Sequence, residues 1–295
     1  METHRLDLVL PYLRCPVCGA ALERRAGTVH CAAGHGFDIA RQGHLTLLAG
    51  GSRAGQGDTA DMVAARAEFL GRGHYRPIAE ALTAAVTSGY AAGAGRLVVD
   101  LAGGTGHYLG AVLDALPLAV GLDVDLSPYA ARRVARAHPR MAAVRADVWQ
   151  RLPLATGAAA VVLSVFGPRN APEIARVLHP QGRLVVVSPA PDHLRELVGP
   201  LGMLDVAPDK EERLARQLAA FTPLTEEPVR YEVALTHDDV VHEVRMGPSA
   251  HHVTPDRLAA AVARLPDPVR VTVAVTVTTY RPPAAGQRPV GVGSG

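Results

Sequence analysis

A glycine-rich turn directly after a buried strand restricts the fold of this chain more than any other feature. Residues 96–101 (Arg-Leu-Val-Val-Asp-Leu) have the continuous apolar character of a strand in a parallel sheet, and a helical pattern begins at His107. Asp100 stands at the strand end, and Gly103, Gly104 and Gly106 lie in the turn. Glycines at such a turn allow the backbone to approach a ligand closely. We therefore expect an α/β domain that binds a ligand at this turn.

Further strands and helices alternate along the chain beyond the turn. The next apolar run ends at Asp123, where an acid is placed to hydrogen-bond a ribose diol. A third strand around residues 142–146 is followed by Asp147, and two more apolar runs predict a fourth and a fifth strand. Strands that alternate with helices in this order predict a doubly wound, Rossmann-like sheet.

Two classes of cofactor bind at such a turn. Dinucleotide enzymes use G-x-G-x-x-G, but Leu109 stands at the position of the third glycine. S-adenosylmethionine enzymes instead combine an acid before the turn, an acid that ends the second strand and an aspartate near the third. Asp100, Asp123 and Asp147 occur in that order, although each alone could be a helix cap or a loop residue. The chain therefore predicts a class I S-adenosylmethionine methyltransferase domain, with Ala102 where that turn usually has glycine.

All three cysteines of the chain lie within its first 31 residues. Cys15 and Cys18 form a C-x2-C knuckle, which can hold one metal ion between two thiolates. Cys31 and His35 follow as a C-x3-H pair. Three soft thiolates and one imidazole favour a tetrahedral, structural Zn²⁺ site, and a module this small needs the metal to keep its fold.

The fourth zinc ligand is less constrained than the three cysteines. His30 directly precedes Cys31 and would strain its ring as a ligand, whereas His44 lies further along the chain. Gly34 and Gly36 flank His35. The spacing and these glycines favour His35 over the two alternatives.

Composition adds a few exclusions. The hydrophobic content of 48% and the charged content of 20% are typical of globular proteins, and the net charge of +2 neither requires nor excludes a nucleic-acid partner. No apolar run approaches the roughly 18 residues of a membrane span, and the charged N-terminus does not suit a signal peptide. We therefore expect a cytoplasmic protein with no membrane partner.

The chain resembles the RlmA family of ribosomal RNA guanine-N1 methyltransferases from Cys15 to about Tyr280. The similarity lies in Cys-Pro-Val-Cys-Gly at 15–19, Gly-His-Gly-Phe-Asp-Ile-Ala-Arg-Gln-Gly-His at 34–44, Gly-His-Tyr-Arg-Pro at 73–77 and Pro-Asp-His-Leu at 191–194. Phe-Gly-Pro-Arg-Asn at 166–170 and Met-Gly-Pro-Ser at 246–249 most resemble the actinomycete branch of tylosin- and mycinamicin-resistance enzymes.

This resemblance implies a substrate, a reaction and further site residues. The substrate would be a guanine in a hairpin loop of 23S rRNA near the peptide exit tunnel, and methylation of its N1 would confer resistance to macrolides. A homodimer is left open. The resemblance assigns the zinc to Cys15, Cys18, Cys31 and His35, and it adds cofactor contacts at Tyr75, Gly106, His107 and His193.

The catalytic residues are less defined than the cofactor site. N1 of guanine carries a proton and lies on the Watson–Crick edge, so a base or proton relay and an unpaired guanine are both expected. Phe166 could stack on the guanine, or it could be a core residue. Asn170 could read the base edge, or it could cap the next helix. RNA affinity is expected from Arg14, Arg24, Arg25, Arg41, Arg53, Arg66, Arg72 and Arg76, each of which could equally be a solvated surface residue.

These predictions divide the chain into four segments. Residues 1–48 form a zinc-binding RNA-recognition module, 49–90 a glycine-rich linker and helical bridge, 91–280 the methyltransferase domain and 281–295 a disordered tail. Residues 205–235 suggest an inserted or lid region. The alternating apolar and polar residues at 270–280 predict an antiparallel strand at the sheet edge. The competing hypotheses are a small-molecule methyltransferase with a structural zinc and a non-catalytic RNA-binding module.

Overall fold

The computed structural model describes residues 4–50, 57–203 and 210–284. Three predictions fall partly or wholly outside these residues. They concern residues 51–56 of the glycine-rich linker, residues 205–209 of the proposed lid and the tail from residue 285. Among the helices in the described ranges, none combines the length and the apolar character that crossing a bilayer requires.

The N-terminal part consists of short elements. Helix α1 is followed by a three-stranded antiparallel sheet, β1-β2-β3, and by the two-residue strand β4. Their bounds are α1 Arg5–Val9, β1 Leu22–Arg25, β2 Thr28–Cys31, β3 Gly36–Asp38 and β4 Leu45–Thr46.

The larger part alternates helices and strands as the sequence predicts. Thr59 begins the first of these helices, and its side chain accepts a hydrogen bond from the Met62 amide. The elements are α2 Ala60–Gly71, α3 Arg76–Gly89, β5 Leu97–Leu101, α4 His107–Ala115, β6 Val120–Asp125, α5 Pro128–Val134, β7 Met141–Arg145, β8 Ala159–Val165, α6 Ala171–Val177, β9 Leu178–Pro189, α7 Arg195–Leu201, α8 Lys210–Gln217, β10 Thr222–Leu235, α9 His237–Met246, α10 Pro255–Val262 and β11 Val269–Arg281.

Eight strands form one mixed sheet in the order β10-β11-β9-β8-β5-β6-β7-β4. The strands from β4 to β9 are parallel, and β10 and β11 are antiparallel to their neighbours. Every residue of β5, β6 and β8 is buried, which is typical of strands covered by helices on both faces. The predicted doubly wound α/β architecture is confirmed.

The N-terminal module is part of the main sheet. Strand β4 pairs in parallel with β7, with Leu45 opposite Val144 and Thr46 opposite Arg145. Leu6 and Val9 of α1 are fully buried. Burial of these apolar side chains fixes the module against the large domain.

Two predictions about the C-terminal part are wrong. Residues 222–235 form the long strand β10 instead of a lid, because they pair with β11 along almost their whole length. Strand β11 is antiparallel as predicted, but it lies between β9 and β10 and is not the sheet edge. Alternation along one strand does not show how many neighbours the strand has.

The predicted end of the second strand is also wrong. Strand β6 continues past Asp123 and ends at Asp125. Ser127 then caps α5, since its hydroxyl accepts hydrogen bonds from the amides of Tyr129 and Ala130. The acid that stands at the strand end is therefore Asp125.

Candidate functional site

A cavity of about 420 Å³ opens at the carboxyl ends of β5, β6, β7 and β8. Neighbouring strands β5 and β8 lie where the strand order reverses, and open α/β sheets bind ligands at such a crevice. Its volume is within the range of small-molecule pockets. The side of the cavity away from the sheet is covered by Met62, Arg66, Leu70, Tyr75, Met246 and Gly247.

The turn after β5 forms the floor of this cavity. A Cβ atom on Gly103 would overlap the carboxylates of Asp123 and Asp100, so only glycine fits there. Ala102 has a φ of +58°, a left-handed conformation that costs a residue with a Cβ about 1 kcal/mol. The turn thus keeps its glycine-type backbone at Ala102, where the methyltransferase pattern usually has glycine.

The predicted acids occupy two different environments. Asp100 and Asp123 are opposite each other on β5 and β6, are fully buried and do not line the cavity. Burial and the nearby charge of Asp125 raise the pKa of Asp100 to about 7 and raise the pKa of Asp123 well above its usual range. Asp125 does line the cavity, where its carboxylate accepts hydrogen bonds from the amides of Gly104 at 3.2 Å and Ser127 at 2.7 Å.

The loop after β7 forms one end of the cavity. Asp147 lines it, and its Oδ1 accepts a hydrogen bond of 2.9 Å from the amide of Trp149. The indole of Trp149 is 52% exposed beside it. An exposed tryptophan next to a cavity offers a flat apolar surface on which an aromatic ligand can stack.

Asn170 braces this loop from behind. Its Nδ2 donates to the carbonyl oxygens of Val148 at 3.1 Å and Gln150 at 3.3 Å. Asn170 precedes α6, but its side chain makes no capping hydrogen bond, so the capping hypothesis is wrong. Both amide hydrogens are therefore used within the loop, and a role for Asn170 in reading the base edge stays a prediction.

Three aromatic rings meet at the opposite end of the cavity. Phe166 and His193 are stacked, with ring centroids 5.9 Å apart and planes 21° apart. The ring of Tyr75 lies 6.4 Å from Phe166, and its hydroxyl is 3.5 Å from Nε2 of His193. Phe166 is 40% exposed and lines the cavity, so the hypothesis that it is a core residue is wrong.

His193 is held in one orientation by the sheet. Its Nδ1 accepts a hydrogen bond of 3.3 Å from the amide of Ala274 in β11. A neutral imidazole that accepts at Nδ1 carries its proton on Nε2. The Nε2–H of His193 is therefore a hydrogen-bond donor toward Tyr75.

A buried carboxyl group lies behind Tyr75. Glu243 of α9 is buried together with Tyr75 and Tyr108, and Tyr231 and Arg66 lie near it. Burial raises the pKa of Glu243 to about 7, although the Tyr75 hydroxyl and the Arg66 charge oppose this rise. At pH 7 this carboxyl is close to half protonated.

We expect Glu243→Gln to stabilise the protein at high pH only. The unfolded state releases the Glu243 proton near pH 4.5 and the folded state near pH 7, so stability falls as the pH rises through this window. Glutamine does not titrate, and urea unfolding at pH 8 should therefore show a gain of up to about 3 kcal/mol. At pH 4.5 the gain should vanish. The exposed Glu232→Gln should show no pH-dependent change, and an equal gain for Glu243→Gln at both values would contradict the burial argument.

Arg66 joins the wall of the cavity to its floor. Its guanidinium forms an ion pair with Asp58 and donates a hydrogen bond of 2.7 Å to the carbonyl oxygen of Met246. A Cβ on Gly104 would overlap Nη1 of Arg66. The sequence pattern indicates Arg66 only as an RNA-binding arginine and does not indicate Asp58, Asp125 or Trp149, because nothing in the local pattern places them at the cavity.

Gly106 and His107 lie on the other side of α2. They line a separate groove, whereas Gly103, which precedes them in the turn, lines the cavity. Their role as cofactor contacts stays a prediction.

The four predicted zinc ligands converge in the N-terminal module. The Sγ and nitrogen atoms of Cys15, Cys18, Cys31 and His35 all lie within 4.8 Å of one another. Sγ atoms of Cys18 and Cys31 are 3.6 Å apart, and Nδ1 of His35 is 3.6 Å and 3.3 Å from Sγ of Cys15 and Cys31. A tetrahedron with Zn–S bonds of about 2.3 Å has edges of about 3.8 Å. The donor set and these spacings fit a structural Zn²⁺ ion.

The two alternative histidines are outside this cluster. Nε2 of His30 lies 2.7 Å from the hydroxyl of Thr28. His44 is buried elsewhere, and this burial lowers its pKa. Of the three histidines considered, His35 alone belongs to the described ligand cluster.

The arginines predicted to bind RNA are mostly engaged with protein groups. Arg24 pairs with Asp7 at 2.6 Å, and Arg72 pairs with Asp239 at 2.6 Å. Arg53 lies outside the described residues. Ion pairs also hold Arg25, Arg66 and Arg76, and Arg14 donates to the backbone carbonyls of Pro11 and Leu13. Among the predicted arginines that lie in the described residues, exposed Arg41 is the one without an ion pair or a side-chain hydrogen bond.

Comparisons with known proteins identify relatives of this chain. Residues 13–50 match the family described as "RlmA, N-terminal", a zinc ribbon. A protein from Streptomyces fradiae named 23S rRNA (guanine(748)-N(1))-methyltransferase is 50% identical over 275 residues, which cover 93% of this chain and 98% of its own. A protein from Micromonospora griseorubida, provisionally named 23S rRNA (guanine-N(1)-)-methyltransferase, is 49% identical with the same coverage. The crystal structure of a provisionally named methyltransferase from Bacillus halodurans has 15% identity and a TM-score of 0.43, covering 68% of this chain and 99% of its own.

Proposed function

The chain belongs to the RlmA family of 23S rRNA (guanine-N1)-methyltransferases, and from this premise we propose that it methylates N1 of a guanine in a hairpin loop of 23S rRNA. The observation that carries the proposal is the cavity itself. It has carboxylates for a cofactor at the strand ends and a partly exposed aromatic ring for a flipped-out base at its mouth.

The residues around the turn fit S-adenosylmethionine. Because Gly103 has no side chain, the turn can pass close over the buried carboxylates of Asp100 and Asp123. Asp125 at the end of β6 lines the cavity and is placed for a ribose diol. Asp147 and the exposed indole of Trp149 suit the adenine. When bound, S-adenosylmethionine supplies a methyl group on a positively charged sulfur. The assignment of the ribose contact thus moves from Asp123 to Asp125.

The aromatic end of the cavity suits the target base. N1 of guanine is reached only when the base is unpaired and turned out of its stack, at a cost that stacking on a side chain offsets. Phe166 offers such a ring, and its φ of +52° holds it toward the cavity. Methyl transfer would form an N1–CH₃ bond as the bond between that methyl group and the sulfonium sulfur breaks, and the N1 proton would pass to bulk water. In its neutral form His193, which accepts from the Ala274 amide at Nδ1, presents Nε2–H as a hydrogen-bond donor.

The two parts of the chain divide the work. We assign residues 1–48 to RNA recognition and residues 91–280 to methyl transfer, with zinc held by Cys15, Cys18, Cys31 and His35. Helix α2, within the bridge at 49–90, covers the cofactor cavity and belongs functionally with the catalytic part. A ribosomal substrate places the enzyme in the cytoplasm, and a homodimer stays a prediction.

The target nucleotide and its consequence extend the proposal. The relative from Streptomyces fradiae is named for guanine 748, and we assign the same guanine, in the hairpin near the peptide exit tunnel, to this chain. A methyl group there would lower the affinity of macrolides such as tylosin or mycinamicin.

Methyl transfer to unmethylated 23S rRNA tests the proposal. The purified protein is incubated with tritiated S-adenosylmethionine and rRNA, and the product is mapped by primer extension. Because N1-methylguanine blocks the Watson–Crick edge, reverse transcriptase should stop beside a single guanine in the tunnel hairpin. A transcript with adenine at that position should take up no label. Cofactor binding without transfer to any rRNA would replace this proposal with the small-molecule methyltransferase, and an absence of cofactor binding would leave the RNA-binding module.

A further inference from the structure

A second, larger groove lies on the side of α2 that faces away from the cofactor cavity. Its volume is about 870 Å³, and its walls are α2, α4, and α5 with the loop that follows it. The groove is wide because its α2 and α4 walls carry small side chains. These are Ala60, Ala64, Ala67, Gly71, Gly110 and Ala111.

The α5 wall of the groove is positively charged. Arg132, Arg133 and Arg136 are exposed and line it, and none of them has an ion pair or side-chain hydrogen bond within residues 4–50, 57–203 and 210–284. The acid that lines the groove is Asp114, and its Oδ1 lies 3.2 Å from Nε2 of His138. Arginines in the last turn of a helix favour its dipole, which accounts for Arg132 and Arg133 but not for Arg136 beyond the helix end.

An exposed aromatic ring stands beside these arginines. Tyr129 is 43% exposed, lines the groove and lies one helical turn before Arg132 and Arg133. Proteins that bind single-stranded RNA combine such cations with aromatic rings on which bases stack. A plain solvated surface does not require a tyrosine at this position.

The groove adjoins both functional parts of the molecule. Leu70 of α2 lines the groove and the cofactor cavity, and His107 lines the groove at the start of α4, directly after the glycine-rich turn. The C-terminal end of α5, which carries the arginines, contacts the N-terminal module, because the guanidinium of Arg5 donates to the carbonyl oxygen of Ala135. A strand in the groove would lie one helix width from the target base.

We infer that this groove binds the backbone of an unpaired RNA segment next to the target guanine. Arg132, Arg133 and Arg136 contact phosphates, and Tyr129 stacks on a base. The inference rests on the proposed function in that the RNA is the substrate, and it assigns the phosphate contacts to α5 instead of the module arginines. The ligand that this groove fits is a chain of phosphates with exposed bases beside it.

The test is RNA binding by the full-length variant Arg132→Ala/Arg133→Ala/Arg136→Ala. Binding of a fluorescently labelled transcript of the tunnel hairpin is measured by fluorescence anisotropy at salt concentrations from about 50 to about 200 mM. Over this range log K for RNA binding falls linearly with log salt. Each lost phosphate contact should reduce the slope of log K against log salt by about 0.7 to 0.9, so the triple variant should lose about 2 to 3. Calorimetric affinity for S-adenosylmethionine and kcat at saturating RNA should be unchanged, while KM for RNA rises at least about 10-fold.

A second triple variant controls for net charge. Arg257→Ala/Arg264→Ala/Arg270→Ala removes the same charge from exposed positions in α10, just beyond α10 and in β11, none of which lines the groove. Its slope should equal that of the wild type. In addition, Tyr129→Ala should weaken RNA binding and Tyr129→Phe should not, because phenylalanine keeps the stacking ring.

The outcomes separate this inference from the proposed function. A slope and affinity equal to the wild type for the α5 variant, or equal losses in both triple variants, would overturn the groove assignment while the wild type still methylates rRNA. If the wild type is a dimer and the α5 variant is a monomer with the wild-type slope, a second copy of the chain fills the groove. That result would also overturn the groove assignment. A wild type that binds the hairpin but transfers no methyl group would reject the proposed function and leave the groove assignment standing.

Discussion

Replacing Cys31 with serine should remove the zinc ion and unfold the N-terminal module. The ligand atoms of Cys15, Cys18, Cys31 and His35 hold together the turn, β2 and β3 at one point. Structural zinc contributes about 10–16 kcal/mol to the folding of small zinc modules, as much as the whole stability of a typical domain. Zinc content by mass spectrometry should fall from about one ion per chain to none, and the thermal transition should shift to lower temperature.

A neighbouring histidine provides the matched control for this experiment. His30 directly precedes Cys31 in β2, but it interacts with Thr28 and is outside the ligand cluster. His30→Ala should therefore keep its zinc. Full zinc content in Cys31→Ser, or loss of zinc in His30→Ala, would show that the ligand set is wrong.

Loss of zinc should separate the two activities of the protein. Every residue that lines the cofactor cavity lies at or beyond Gly57, so binding of S-adenosylmethionine should persist in Cys31→Ser wherever the large domain stays folded. Methylation of rRNA should be lost, because the module to which we assign RNA recognition is unfolded. Equal methylation by zinc-free and zinc-loaded protein would contradict the assignment of residues 1–48 to RNA recognition.

Replacing Phe166 with alanine should lower kcat/KM for rRNA by between about 5-fold and about 160-fold. Stacking of a base on an aromatic side chain contributes about 1–3 kcal/mol, which is lost with the ring. Phe166 lies at the mouth of the cavity, stacked on His193, and the carboxylates proposed to bind the cofactor lie elsewhere on the cavity wall. Calorimetric affinity for S-adenosylmethionine should therefore change little.

Two further variants make the Phe166 experiment specific. Phe166→Tyr keeps a ring and should keep most of the activity. If any substitution at this position, where φ is +52°, disturbed the backbone, both Phe166→Ala and Phe166→Tyr would lose activity. Leu118→Ala removes an apolar side chain that is 74% exposed away from the cavity, and it should have no effect. An unchanged kcat/KM in Phe166→Ala would reject Phe166 as the stacking residue.

Local chemistry in the sequence was sufficient for two conclusions. The zinc ligands follow from the spacing of two short ligand pairs, because tetrahedral thiolate coordination tolerates few alternatives. The α/β fold and its ligand crevice follow from the apolar runs and from the turn around Gly103, where a side chain would overlap Asp100 and Asp123. Both conclusions depend on residues that are close in the chain.

Tertiary structure alone decided the position of the strand-end acid. Asp123 and Asp125 are two residues apart on β6, so they point to the same side of the sheet and a sequence pattern cannot separate them. The turn at Gly103 covers Asp123, and the cavity begins at Asp125. Only the register of β6 against β5 made this distinction.

The same physical reason explains the remaining differences. Tyr75 and His193 meet from positions 118 residues apart, and Arg72 is paired with Asp239 at a separation of 167 residues. Whether an arginine is free for RNA depends on such distant partners. The arginines at α5 that have no partner in the described residues could therefore be identified only in the folded chain. The sequence by itself determined the chemistry that each short segment can perform, while packing between distant segments decided which side chains face the ligand.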